Sequence, residues 1–123
     1  MVLTFWVDGT PVPQGSVHCF GNRVVHQKSK QLMAWREAIK QEALKTECQI
    51  WDGPISIKLK FQLLKPASVK RDTPHVRPDL DKYVRAALDA LTGVAYEDDG
   101  QVINLKASKE YGLSAGVEIT IWT

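Results

Sequence analysis

Cysteine is scarce: 123 residues hold two, Cys19 and Cys48. Two thiols cannot build the disulfide framework of a small secreted domain, and no Cys/His set at zinc spacing accompanies them. His18 and His26 have no Cys or carboxylate at ligand spacing, so they read as strand residues on a partly exposed ribbon. Also missing are a leader-like segment and any apolar run long enough to span a bilayer. The expectation is a cytoplasmic protein with no membrane partner. Internal repeats and low-complexity tracts are absent, and the aromatic platforms expected for stacking single-stranded RNA are not evident. Neither sign of charge dominates, because the net charge is only +2 with 24% charged residues. A polyanionic partner must therefore be held by local clusters and not by bulk charge.

What is present suits one domain, residues 1–123, with an ordinary apolar fraction of 44%. Residues 2–7 form a β-rich run closed by Asp8-Gly9, and a loop stiffened by Pro11 and Pro13 follows. Gly21-Asn22 is a two-residue turn signal between short strands at 17–20 and 23–26. Leu32, Trp35, Ile39 and Ala43 mark the buried stripe of a helix over 29–46. Residues 55–64 alternate apolar and polar, the pattern of a half-buried strand. Ile103, Leu105 and Ala107 give one face of another strand, closed by Lys109, and Val117, Ile119 and Ile121 one face of the last. The order of these elements predicts an α+β fold: a mixed β-sheet with two covering helices.

The densest chemistry lies in residues 77–102. Leu80, Val84, Ala87, Leu88 and Leu91 recur at helical spacing, Pro78 pins the start, and Gly93 follows the end. On the opposite face Asp81, Arg85 and Asp89 form an i, i+4, i+8 row. A helix over 81–92 rises roughly 16 Å, and six extended steps from Gly93 to Asp99 reach back roughly 20 Å. On that reach Asp99 returns to the helix entrance and joins Asp79 and Asp81. Three carboxylates around one point repel unless a cation joins them. Oxygen ligands with room for water suit Mg²⁺, with Mn²⁺ as a substitute. Such a centre on a basic surface suits phosphodiester hydrolysis, with Arg85 facing the charge that develops. The same residues also read as an acidic helix N-cap, an i, i+4 ion pair and an Asp-Asp-Gly turn.

Cations gather near these residues. The segment 65–77 is polar, aperiodic and basic, and its Lys65, Lys70, Arg71 and Arg77 lead into Asp79. It reads as a solvated, mobile loop able to draw a phosphate backbone toward the carboxylates. Arg23, Lys28 and Lys30 make the 17–26 hairpin a candidate phosphate-contacting finger, and Lys109 ends its strand with another positive charge.

Pro78-Asp79-Leu80-Asp81, Ala87-Leu88-Asp89-Ala90-Leu91 and Tyr96-Glu97-Asp98-Asp99-Gly100-Gln101-Val102, in this order and at these gaps, resemble the core motif of the RusA family of Holliday junction resolvases. The resemblance covers residues 77–109 strongly and the rest by length and element order. It implies a RusA-like fold and a crossover junction endodeoxyribonuclease whose catalytic magnesium is held by Asp79, Asp81 and Asp99, with Asp98 a less critical neighbour. It also implies a homodimer acting on four-way branched DNA, a lysine near Lys109, a Pro-Val-Pro turn near the N-terminus and, often, a prophage setting. Two positions depart from the family pattern. Lys82 stands where Asn is usual, and Arg85 stands where Lys is usual. Arginine keeps the charge but does not give up its proton, so charge stabilisation survives the exchange while general-acid chemistry does not. Lys82 assists catalysis or positions DNA on this reading. The alternatives are a non-catalytic junction-binding protein and a metal nuclease acting on other branched DNA.

Overall fold

The computed structural model describes residues 1–15 and 26–123, and the side chains from residue 30 onward in the second segment. Seven elements follow one another: β1 (Val2–Asp8), α1 (His26–Lys45), β2 (Ile55–Leu64), α2 (Leu80–Leu91), a 3-10 turn (Asp99–Gln101), β3 (Val102–Gly112) and β4 (Gly116–Trp122). The sheet order is β1-β4-β2-β3. β4 is antiparallel to both β1 and β2, whereas β2 and β3 run parallel, as expected of strands joined through a crossover helix, here α2. The α+β architecture with a mixed sheet and two helices is as the sequence predicts. The proposed hairpin falls largely outside the described residues, as do His18, Cys19 and Arg23. Its last residue, His26, opens α1 instead of closing a strand.

The alternation in β2 sets the layers. Ile55, Ile57, Leu59 and Phe61 are each at most 1% exposed, and Val117, Ile119 and Ile121 of the neighbouring β4 join them under the helices. Lys58 and Lys60 point to the other face. From α1 the core receives Trp35, Ile39 and Ala43. From α2 it receives Tyr83, Ala86, Ala87, Ala90 and Leu91. The expected stripe on α2 is therefore rotated by about one position. Leu80, Val84 and Leu88 are only partly buried, and the small alanines take the centre, where α2 lies against α1 and the sheet. Phe61 and Tyr83 stack with ring centroids 5.3 Å apart, locking α2 to β2. Truncating such a buried aromatic to alanine costs about 3–5 kcal/mol. At the other end of the core, Gly9 has φ +133° and lies against the Trp35 ring, where a Cβ would come within 3.3 Å.

Candidate active site

The entrance of α2 is fixed from two sides. In the parallel β2/β3 register Lys109 pairs with Phe61, so both side chains leave the sheet on the helix-covered face. The Lys109 ammonium donates to the carbonyl oxygens of Val76 at 2.6 Å and Pro78 at 2.8 Å, holding the segment that precedes Asp79. On the second side, the Gln14 N–H donates to the Lys82 carbonyl at 3.0 Å, and the Gln14 side-chain amide donates to the Asp89 carboxylate. Lys109 is thus a tether inside the protein as well as a nearby positive charge.

Asp79 occupies the N-cap position in extended conformation, φ −67° and ψ 142°, but its side chain makes no capping hydrogen bond. Its carbonyl starts the helix by accepting from the Lys82 and Tyr83 N–H groups at 3.1 and 3.4 Å. Its carboxylate is left free of backbone duties. Asp81, one residue into the first turn, is 72% exposed and has the Lys82 ammonium at 3.3 Å. Two carboxylates therefore stand at the positive end of the helix dipole, with Lys82 beside them and exposed Arg77 preceding them.

Asp99 is elsewhere. Its Oδ1 accepts from the Thr92 hydroxyl at 2.8 Å and the Tyr96 hydroxyl at 3.2 Å, which places it at the C-terminal end of α2. From Asp79 to Thr92 is the whole length of that helix, about 20 Å at about 1.5 Å per residue. The extended return expected for residues 93–99 does not occur. Gly93, at φ +83°, donates to the Tyr96 carbonyl at 2.7 Å, the Val94 and Ala95 N–H groups fold back on the Leu91 carbonyl, and Val94, Ala95 and Tyr96 are buried. Burying that apolar trio uses up the reach that the extended estimate assigned to it. Within one chain Asp79 and Asp81 are neighbours and Asp99 is not with them. Among the described residues no three His, Cys, Asp or Glu side chains are placed to hold one metal ion.

The environment of Asp99 has its own logic. Tyr96 is fully buried, and its hydroxyl also lies 2.8 Å from the Leu88 carbonyl. Burial pushes the phenol well above its ordinary range; the Thr92 hydrogen bond, next in size, opposes it, and the Asp99 charge and hydrogen bond and then the Asp89 charge add to the rise. Tyr96 therefore stays protonated and keeps donating to Asp99. Asp98 caps the 3-10 turn, accepting from the Gly100 N–H at 3.2 Å. Gln101 closes the corner. Its Oε1 accepts from the Glu97 and Asp98 N–H groups at 2.8 and 3.0 Å, and its Nε2 donates to the Trp51 and Gly53 carbonyls at 2.7 and 3.0 Å. Sequence reasoning missed Gln14, Thr92, Tyr96 and Gln101 as positioning groups. Only Tyr96 and Gln101, lying within the quoted motif, carried a signal.

The basic segment forms neither helix nor strand, is mostly exposed, and is attached to the sheet at several points. Arg71 donates to the Tyr111 hydroxyl at 3.0 Å with its guanidinium 6.0 Å from that ring centroid, Pro74 is buried, and Lys65 lies 3.9 Å from Asp72. Leu63, Pro66, Arg71, Pro74, Arg77 and Tyr111 line a cavity of about 270 Å³ beneath it. Lys70 and Arg77 remain exposed, Arg85 is exposed midway along α2, and Lys30 is exposed on α1.

A family model described as Endodeoxyribonuclease RusA matches residues 8–122. The chain belongs to the RusA family. An uncharacterized protein of Bacillus subtilis (strain 168), YqaN, is 32% identical to it over 140 aligned positions covering 97% of this chain and 94% of the relative. RusA membership gives the chain a nuclease ancestry and matches its four-stranded mixed sheet with two helices. No helix among the described residues is long and apolar enough to cross a membrane.

Proposed function

We propose that the protein is a Mg²⁺-dependent endonuclease that resolves Holliday junctions as a homodimer in the cytoplasm, cutting two strands of like polarity. The observation that carries this reading is the pair of carboxylates at a helix N-terminus, Asp79 without a capping bond and Asp81 exposed beside Lys82, preceded by Arg77 in a chain of the RusA family. Mg²⁺ commonly takes one or two carboxylates and completes its shell with water and substrate oxygens, so Asp79 and Asp81 are the residues of this protomer that fit it. When bound, the ion supplies Lewis-acid polarisation of the phosphodiester and an activated water. Arg85, permanently charged, stabilises the negative charge that develops on the phosphoryl oxygens and does not deliver a proton. Lys82 holds Asp81 and lies close enough to share a DNA phosphate. Lys65, Lys70, Arg71 and Arg77 guide the backbone toward the helix entrance, with Lys28, Lys30 and Arg23 as a second set of contacts.

One structural observation favours the alternative of a non-catalytic junction-binding protein: Asp99 is remote from Asp79 and Asp81 within the protomer. Strand scission on labelled four-way junctions, forks, flaps and linear duplex in Mg²⁺, with wild type and Asp81→Asn, decides between them. Junction-selective cutting that the substitution abolishes supports the proposal. Junction binding without scission in the wild type establishes the binder, and equal cutting of linear duplex defeats the resolvase reading.

A further inference from the structure

The cavity of about 270 Å³ beneath residues 65–77 serves no step of the chemistry set out above. It lies at the carboxyl ends of the two parallel strands: Leu63 of β2 and Tyr111 of β3, which face each other in the register, both line it. A crossover connection leaves a crevice at that place, between the strand ends and the chain leading to the helix, and ligands commonly bind there. Leu63, Leu64, Pro66, Pro74 and Val76 make its walls apolar, yet Arg71 and Arg77 also line it and no carboxylate among the described residues does. Arg71 is half-buried, and its Nε donates to the Tyr111 hydroxyl at 3.0 Å, which fixes the guanidinium. Its two terminal amino groups have no partner among the described residues. Arg77 is exposed, and Asp79 follows two residues later, at most about 7 Å along the chain.

We propose that this cavity receives one unpaired nucleobase of the DNA strand whose phosphodiester lies at the Asp79 and Asp81 carboxylates. The inference rests on the nuclease reading above and goes beyond it by naming what the protein reads besides phosphate. A base is apolar on its faces, polar along its edge and joined to an anion. The leucine and proline walls suit the faces. The free amino groups of Arg71 suit acceptors on the edge, as a guanidinium suits O6 and N7 of guanine. Arg77 suits the adjoining phosphate, and the absence of a lining carboxylate leaves that anion unopposed. Volume decides how much enters. Pockets for drug-sized ligands run about 300–1,000 Å³, so this smaller one admits a single ring system and not a base pair. Branched DNA makes such a base available. In an open four-way junction the pairs at the branch lack a stacking neighbour across it, so lifting one base out costs less than in continuous duplex. The cavity thereby turns branch-point unstacking into selectivity over linear DNA.

Two measurements test the cavity, the first without branched DNA. The methyl resonances of Leu63, Leu64 and Val76 are followed while deoxyguanosine monophosphate or inorganic phosphate is added. The proposal expects the nucleotide to shift these methyls and inorganic phosphate to leave them in place. It expects Ala115→Phe, which fills the cavity from a lining position, to abolish the response. Methyls unmoved by the nucleotide, or moved equally by phosphate, overturn it. In the second measurement the wild type binds four-way junctions that each lack one base near the branch, without divalent metal so that nothing is cut. Loss of the base contact lowers affinity about five- to a hundredfold at one position of the strand, and at no position of a linear duplex. Equal affinity across the junction series overturns the use of the cavity on DNA. If the wild type binds no junction, the nuclease reading fails, and the nucleotide titration still decides the cavity.

Discussion

Replacing Lys109 by methionine separates a tether from a phosphate contact. Methionine keeps most of the apolar stem, so the loss is confined to the ammonium and its hydrogen bonds to the Val76 and Pro78 carbonyls. Hydrogen bonds to a charged group contribute about 1.5–3 kcal/mol each when well shielded. Here one is exposed and the other partly buried, and in the variant water can reach both carbonyls, so the combined loss should be about 2 kcal/mol. Urea denaturation should register that loss, and exchange of the Lys82 and Tyr83 amides, which bond to the Asp79 carbonyl, should quicken by about tenfold or more. Junction affinity measured against salt gives the second half. Losing a phosphate contact lowers the slope of log K against log salt by about 0.9 on duplex DNA, whereas losing a tether leaves the slope unchanged. Stability within about 0.5 kcal/mol of wild type together with a lowered slope would refute the tether.

Gln101→Ala removes four hydrogen bonds that satisfy the side-chain amide completely and should cost about 2–3 kcal/mol by chemical denaturation, far beyond an ordinary surface substitution. Asp79→Asn should abolish Mg²⁺-dependent nicking with stability nearly unchanged, since the side chain makes no cap bond, whereas Asp98→Ala should lose about 1 kcal/mol of stability and retain nicking. For Tyr96 the folded-state pKa lies above the unfolded value of 10.0, so between the two the native state holds the extra proton. Stability should therefore fall as pH rises above about 10, and Tyr96→Phe should flatten that fall in denaturation series run from pH 8 to 11.

Much of the scaffold was legible because burial imposes simple periods. The alternation of Ile55, Ile57, Leu59 and Phe61 fixed β2 and its buried face, and Leu32, Trp35, Ile39 and Ala43 marked α1. The stripe on α2 shifted because hydropathy favours leucine over alanine, while close packing of the helix on the sheet admits Ala86, Ala87 and Ala90 at the centre. The site was legible in its residue types and not in its geometry. Contour length gives only the farthest a segment can reach, and Val94-Ala95-Tyr96 is an apolar trio that gains more from folding under α2 than from crossing it. The charge of segment 65–77 pointed to solvation, and most of it is exposed, with Pro74 and the Arg71–Tyr111 pair attaching it to the sheet. Nothing in local sequence states that β3 lies at an edge. That follows only from strand order.

The most direct test of the account is a crystal structure of the wild-type protein soaked with Mn²⁺, read by anomalous scattering. The account predicts a peak at the entrance of α2, within coordination distance of Asp79 and Asp81. A peak at the opposite end beside Asp89 and the chain's own Asp99, or none at the entrance, would contradict it.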